Sequence, residues 1–203
     1  MFIPGYYKVK DVQEVVDFIQ EHSFGTLVSM KGGRPIGTHI PMILKQVGDQ
    51  FILTGHMAYG NPQWRTFDTC EEVLVMFQGP HAYISSSWYR DENVPTWNYQ
   101  AVHVYGKASR MEKEELIQEM TAMLEKYEKH RSQPVLWDTL SSELVESQLK
   151  GVVGFKIAIT DMEAAYKLSQ NRNEEDRQSI ITQLQQEPDA HSRQMAEVMK
   201  RRR

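Results

Sequence analysis

One cysteine, Cys70, among 203 residues leaves no partner for an intramolecular disulfide, which fits a reducing compartment. No apolar run approaches the roughly 18 residues that a membrane-spanning helix needs, so the chain is not expected to cross a bilayer. Charge of one sign is also scarce, since the formal net charge of -4 lacks the strongly basic balance of a broad nucleic-acid footprint. Any contact with phosphates must therefore be local. The first residues, Met1 to Tyr7, lack the basic start and apolar core of a secretory signal, and the expected location is the cytoplasm. No internal repeat, nucleophile elbow, P-loop or dinucleotide fingerprint occurs, which removes the commonest hydrolase and nucleotide-triphosphatase readings.

What remains is an ordinary globular composition, 40% hydrophobic and 25% charged, on a chain long enough for one domain with a sizeable core. Asp11 with Glu14 begins a helical pattern whose apolar face would be Val12, Val15, Val16 and Ile19. Residues 23–30 read as a strand, Lys31 to Arg34 as a hairpin turn, and 35–44 as the return strand. Strands over 50–54 and 72–79 follow. Five or six strands with short connections predict a small antiparallel barrel or sandwich. Leu116, Ile117, Met120, Met123, Leu124 and Tyr127 then trace one stripe of a long helix, and a shorter helix through Leu144, Val145 and Leu149 stops at Gly151. Residues 152–160 alternate as another strand. Asn173 caps a helix with Glu174, Glu175 and Asp176 in its first turn, and a last helix carries Met195, Val198 and Met199 on one face. It ends in Lys200, Arg201, Arg202 and Arg203, a local basic patch that could touch DNA or simply favour the helix C-terminus.

The stretch from Phe77 to Gly106 has a different character. It concentrates His81, Tyr83, Ser85, Trp88, Trp97, Asn98, Tyr99 and His103 on strand-like segments, where such side chains are costly to bury unless each polar atom finds a partner. This is either an aromatic sheet face with paired polar groups or a slot for a flat ligand. His39, His56, His81 and His103 are too widely spaced for a metal motif, so hydrogen bonding is their expected use. Asn61-Pro62 reads as a helix start placed just after His56, a natural seat for an anion. A flavin asks the protein for a flat slot, donors along the ring edge and an anion site, and these residue types meet those needs.

Four blocks carry a resemblance: Gly55-His56-Met57-Ala58 with Asn61-Pro62-Gln63-Trp64, Phe77 through Ser85, Val94 through Tyr99, and Lys167 through Arg172. In this order, across nearly the whole chain, they resemble the PaiB family. The resemblance implies a mainly β protein with added helices (α+β), built on an antiparallel split β-barrel of the FMN-binding type similar to pyridoxamine-phosphate oxidases. The implied organisation is a barrel domain over 1–170 with embedded helices at 112–150, and a C-terminal helical extension over 171–203. Implied too are a homodimer and negative transcriptional regulation of sporulation and degradative-enzyme genes, under a small-molecule effector. FMN is the implied cofactor, with haem as the alternative. Carried onto this chain, the phosphate and ribityl contacts fall near Thr38, His39, Thr54, His56, Asn61 and Trp64. The ring contacts fall at His81, Tyr83, Ser85, Trp97, Asn98 and Tyr99, with Lys167, Ser169 and Asn171 closing the site. The chain departs from the family pattern at Tyr59, where relatives carry Arg, and at Ser86, where they carry Pro. A flavin- or haem-using oxidoreductase built on the same pocket is the alternative function.

Overall fold

The computed structural model describes residues 1–202. Among these residues seven strands and five α-helices follow in the order α1 Val12–Glu21, β1 Phe24–Lys31, β2 Arg34–Pro41, β3 Ile43–Val47, β4 Gln50–Ala58, β5 Val73–Ile84, β6 Thr96–Arg110, α2 Lys113–Glu128, α3 Ser142–Gly151, β7 Val152–Lys167, α4 Glu174–Gln186 and α5 Ala190–Arg201. The strands form a single sheet in the order β2-β1-β5-β6-β7-β4-β3, which does not close on itself. Contacts divide the chain into two units, one of residues 1–18, 77–103 and 163–203, the other of residues 19–76 and 104–162. The long strands β5, β6 and β7 contribute to both.

In the second unit β1 and β2 form the predicted hairpin, with Gly32 and Gly33 supplying the positive φ its turn demands (56° and 79°). The return strand is broken where one continuous strand was expected. Pro41 has no N–H to continue the ladder, and Met42, fully buried, turns away and donates its own N–H to the Ser23 carbonyl at 2.8 Å. Two strands, β2 and β3, result, bringing the total to seven. β3 pairs antiparallel with β4, and β4 with β7 from Ile52↔Ala158 to Ala58↔Val152. Leu27, Met42, Leu53, Val75, Phe155 and Ile157 fill the core of this unit, each worth about 1.5–3 kcal/mol when fully buried. α2 starts with a capping box between Glu112 and Glu115, and buries Leu116 and Met123 as its stripe predicts. Gly151 is the last residue of α3 rather than a cap beyond it, and β7 begins at the next residue.

In the first unit Asp11 Oδ1 accepts from the Gln13 N–H at 2.9 Å, as a helix start requires. Val12 lies in the exposed first turn, and Phe18, tilted on Tyr166 at 5.4 Å, takes its place on the buried face of α1. Asn173 caps α4 as predicted, accepting from the Asp176 N–H at 2.8 Å. The acidic first turn has a second use, because Asp176 accepts from the Arg90 N–H at 2.9 Å and Glu175 pairs with the Arg90 guanidinium at 2.8 Å. On α5 the buried face is Met195, Ala196 and Met199, with Val198 only half-buried. Arg177 donates to the Met199 and Arg202 carbonyls and so closes the C-terminal end of α5. The basic tail is partly occupied: Lys200 pairs with Glu197 at 2.8 Å, and Arg202 with Glu14 at 2.7 Å while lying over the Tyr166 ring. Arg203 lies outside the described residues. No helix among them is long and apolar enough to cross a membrane.

Candidate functional site

The residues expected around a phosphate all fall in the second unit, where they separate into distinct environments. Asn61-Pro62 starts a five-residue 3-10 turn, Pro62–Thr66, and not an α-helix. The dipole of an extended helix is therefore missing from the expected anion seat. Asn61 Oδ1 still caps the Gln63 N–H at 2.9 Å, and its Nδ2 donates to Thr38 Oγ1 at 2.9 Å. Thr38 in turn donates to the Gln63 side-chain oxygen. Gln63, 1% exposed, sends its amide nitrogen toward the Leu27 carbonyl at 2.9 Å, Ser29 Oγ at 3.1 Å and the Ile36 carbonyl at 3.3 Å. Thr66 Oγ1 adds a bond to Ser29 Oγ at 2.8 Å. Thr38 and Asn61 are thus brought together, in a network whose centre is Gln63.

The other members stand apart from that network. His39, next to Thr38 and so on the opposite strand face, bonds Thr26 Oγ1 through Nδ1 at 2.8 Å and stacks on Phe24. Thr54 is buried and directs Oγ1 to the Ile43 carbonyl at 3.3 Å. Trp64 donates its indole N–H to the Tyr59 carbonyl at 3.0 Å, and the Arg65 guanidinium lies 4.1 Å from the Trp64 ring and 5.8 Å from the Tyr59 ring. A cation therefore accompanies Tyr59 although the residue itself is neutral. A cleft of about 540 Å³ opens here, bordered by Tyr59, Trp64, Arg110, Lys150 and Leu116.

His56 belongs to a group that the sequence reading missed. Its Nδ1 is buried without a partner, and so is Oε1 of Glu119, a fully buried carboxylate on α2 whose other oxygen lies 3.5 Å from Lys45 Nζ. A signal was present in the sequence, since Glu119 falls between Leu116 and Met123 on the apolar stripe. Burial holds the His56 imidazole below its ordinary pKa, partly offset by Glu119. Burial lowers His22 and His103 in the same way. The unfolded chain therefore takes up protons near pH 6.5 that the folded chain does not. Stability contributed by these neutral rings is intact above that pH and declines as pH falls below it. The midpoint of thermal unfolding is expected to drop between pH 7.5 and pH 5, and a His56→Gln variant to lose less over that interval. A wild-type midpoint that is flat or rises on acidification would count against buried neutral imidazoles.

The residues expected around a ring all fall in the first unit. His81, Tyr83 and Ser85 lie two apart along one strand face and its continuation, and border a cleft of about 420 Å³ with Trp88 and Trp97. The Tyr83 and Trp97 rings meet edge to face at 6.1 Å, and His81 lies 6.1 Å from Trp97. Tyr83 and Trp97 are about half exposed, at 47% and 53%. One wall comes from a helix that was expected but not placed at the site: His191, in the first turn of α5, brings its ring within 4.5 Å of His81, beside Glu187 and Asp189.

Asn98 does not join this cleft. It is fully buried and donates to Ser169 Oγ at 2.9 Å and to Met199 Sδ at 3.4 Å, while Ser169 holds a left-handed conformation (φ 62°). Lys167 donates to Thr96 and lies 5.9 Å from the Tyr7 ring, and Asn171 Oδ1 accepts from the Tyr7 hydroxyl at 3.4 Å. Burial, then Arg172, lowers the Lys167 ammonium; burial, then Tyr6, raises the Tyr7 phenol, to which Tyr99 adds. Lys167, Asn171, Tyr7 and Tyr99 form a polar cluster of their own. Among the described residues no group of three or more His, Cys, Asp or Glu side chains could hold a metal ion.

An open seven-stranded antiparallel sheet with helices added, carrying an aromatic and imidazole cleft, is the frame of a flavin-binding split barrel. The chain belongs to the family described as "Putative FMN-binding domain", which it matches over residues 1–161. It is 64% identical over 199 residues to the Protease synthase and sporulation protein PAI 2 of Bacillus subtilis, covering 98% of this chain and 96% of that one. The PaiB resemblance read from the four sequence blocks holds. Among solved structures it is similar to the flavocytochrome Anf3 of Azotobacter vinelandii (TM-score 0.60, 12% identity, 84% of this chain and 74% of that one). It is also similar to the FAD and heme binding protein of Mycobacterium smegmatis (TM-score 0.59, 13% identity, 85% and 79%). At these identities the likeness establishes the fold alone.

Proposed function

We propose that this chain is a negative regulator of protease synthesis and sporulation, cytoplasmic and homodimeric, that carries FMN as the cofactor through which it responds. The observation that carries the regulatory half is the 64% identity, over almost its full length, to the sporulation protein of Bacillus subtilis. The cofactor half is supported by the family match and by the cleft, whose Tyr83 and Trp97 faces remain exposed while His81 stands at its edge. On this reading His81, Tyr83, Ser85 and Trp97 hold the ring. Asn98 and Ser169, bonded to each other inside the unit, position the strand that presents Trp97. FMN would supply the redox chemistry, and the protein's share is to orient the ring and exclude water. DNA contact through Lys200, Arg201, Arg202 and Arg203 belongs to the same reading, and for Lys200 and Arg202 it would exchange existing ion pairs for phosphates.

Haem in the same cleft, serving an oxidoreductase, is the second reading, and the imidazoles favour it. The His81 and His191 rings lie tilted only 4.5 Å apart, however, which leaves no room for a macrocycle between them, so one of the two at most would hold haem. Absorption spectra of the purified chain titrated with FMN, and separately with haem, decide between them. The expected result is FMN uptake weakened about tenfold or more by Trp97→Ala, the loss of one stacking partner. Haem uptake with no flavin uptake would overturn the FMN assignment.

A further inference from the structure

We propose that the polar edge of the flavin ring is read by His191, so that α5, which lies beyond the matched FMN-binding region, senses whether the cleft is filled. The inference rests on the FMN reading above. The family match ends at residue 161, yet one wall of the cleft is built by Glu187, Asp189, His191 and Ser192. Most polar groups of this unit are committed. Asp189 caps α5 through the Ser192 N–H at 2.8 Å, and Asn98 and Ser169 bond each other. Among the described residues, nothing hydrogen-bonds the His191 ring or the indole N–H groups of Trp88 and Trp97. His81 Nδ1 lies 3.3 Å from both the Gly79 carbonyl, an acceptor, and the Gln78 side-chain amide nitrogen, a donor, so either tautomer is satisfied there and Nε2 is left to accept from or donate to a ligand.

The cleft therefore offers donors, and at His81 a nitrogen that accepts or donates, side by side between aromatic walls. That pattern complements a flat heterocycle whose edge alternates carbonyl, N–H and carbonyl, as the imide edge of a flavin does. The carboxylates of Glu187 and Asp189 at the lip do not suit a phosphate, so it is the ring and not the phosphorylated tail that fits here. His191 sits in the first turn of α5, whose buried face of Met195, Ala196 and Met199 ties it to the unit's interior and to Asn98. A ligand that engages His191 restrains that turn.

The test is FMN titration of the full chain and of His191→Ala and His191→Gln, with hydrogen exchange followed over residues 189–195. The expected results are affinity about tenfold lower in the Ala variant, restored in large part by Gln, which keeps a donor. FMN should also slow exchange over 189–195 in the wild type and not in the Ala variant. His191 is exposed, so the Ala variant is expected to melt with the wild type. If it melts lower, the Gln variant and the exchange data decide. FMN binding that is within twofold in all three chains, with exchange unchanged, overturns the role of His191 and leaves the FMN reading standing. A wild type that takes up no FMN removes both.

Discussion

Gly106→Ala should destabilise the protein by about 3 kcal/mol or more, at the upper end of what overpacking costs. Gly106 lies in β6, and a methyl group added there would press against the backbone carbonyl of Ala158 in β7 and lie 2.7 Å from Ile157 Cγ2. The carbonyl cannot swing aside without breaking the ladder, so the strands themselves must separate. Gly154 makes the comparison. A methyl group there meets Leu116 Cδ1 and Met111 Sδ, both at 2.9 Å on flexible side chains that can rotate, and Met111 Cβ at 3.2 Å, which needs a shift of only a few tenths of an ångström. Gly154→Ala should cost about 1 kcal/mol or less, helped by the reduced backbone freedom of the unfolded chain. Urea unfolding of both variants gives the difference. Because a domain of this kind is stable by about 5–15 kcal/mol in all, the Gly106 variant should lose a large fraction of its stability. Equal midpoints would mean that β6 and β7 do not approach as closely as described.

Gly106 also illustrates what the sequence disclosed and what it withheld. A glycine inside a strand pattern announces a close approach, but nothing local says which backbone arrives. The alternation of β5 and β6 was more informative than the residue-by-residue transfer from the family. His81, Tyr83 and Ser85 share one face by their spacing, and they do line the cleft. The same alternation sends Asn98 to the side opposite Trp97 and Tyr99, so three consecutive residues could not all face one ring. His191 lies far along the chain in a helix whose register against the strands is a tertiary fact, and no short-range pattern pointed to it. Glu119 was legible as an acid on an apolar stripe, whereas its pairing with Lys45 depends on how α2 lies over β3 and β4. The seven strands were nearly all readable from period-2 patterns and turn residues. Their order, with β7 inserted between β6 and β4, was not, because strand order is set by long-range pairing.

Gln63→Glu, a near-isosteric change, should cost more than Gln63→Met, which deletes the whole amide. The amide nitrogen of Gln63 faces the Leu27 carbonyl, the Ile36 carbonyl and Ser29 Oγ, three oxygen atoms from the β1–β2 hairpin. Methionine leaves those acceptors, and the Thr38 hydroxyl, short of a partner, at a cost of about 2–3 kcal/mol. Glutamate places a second oxygen against the same carbonyls, and at neutral pH it also buries a charge whose only donors are hydroxyls. A penalty of about 3–5 kcal/mol is expected, the range for an uncompensated buried charge. The two variants should also differ in pH dependence. The buried carboxyl of the Glu variant will have a raised pKa, because its charged form is disfavoured and its protonated form can donate to Leu27 or Ile36. Its deficit relative to the Met variant is then largest at high pH and shrinks as pH falls toward the range where the folded state takes up the proton. Unfolding midpoints of both variants at pH 8 and pH 5.5, read as a difference, cancel the histidine contribution common to both chains. If the gap between them does not narrow on acidification, Gln63 does not sit among backbone acceptors. Its place in the Asn61-Pro62-Gln63-Trp64 block would then have to be explained by contact with a ligand instead of by the staple it forms between the hairpin and the turn after β4.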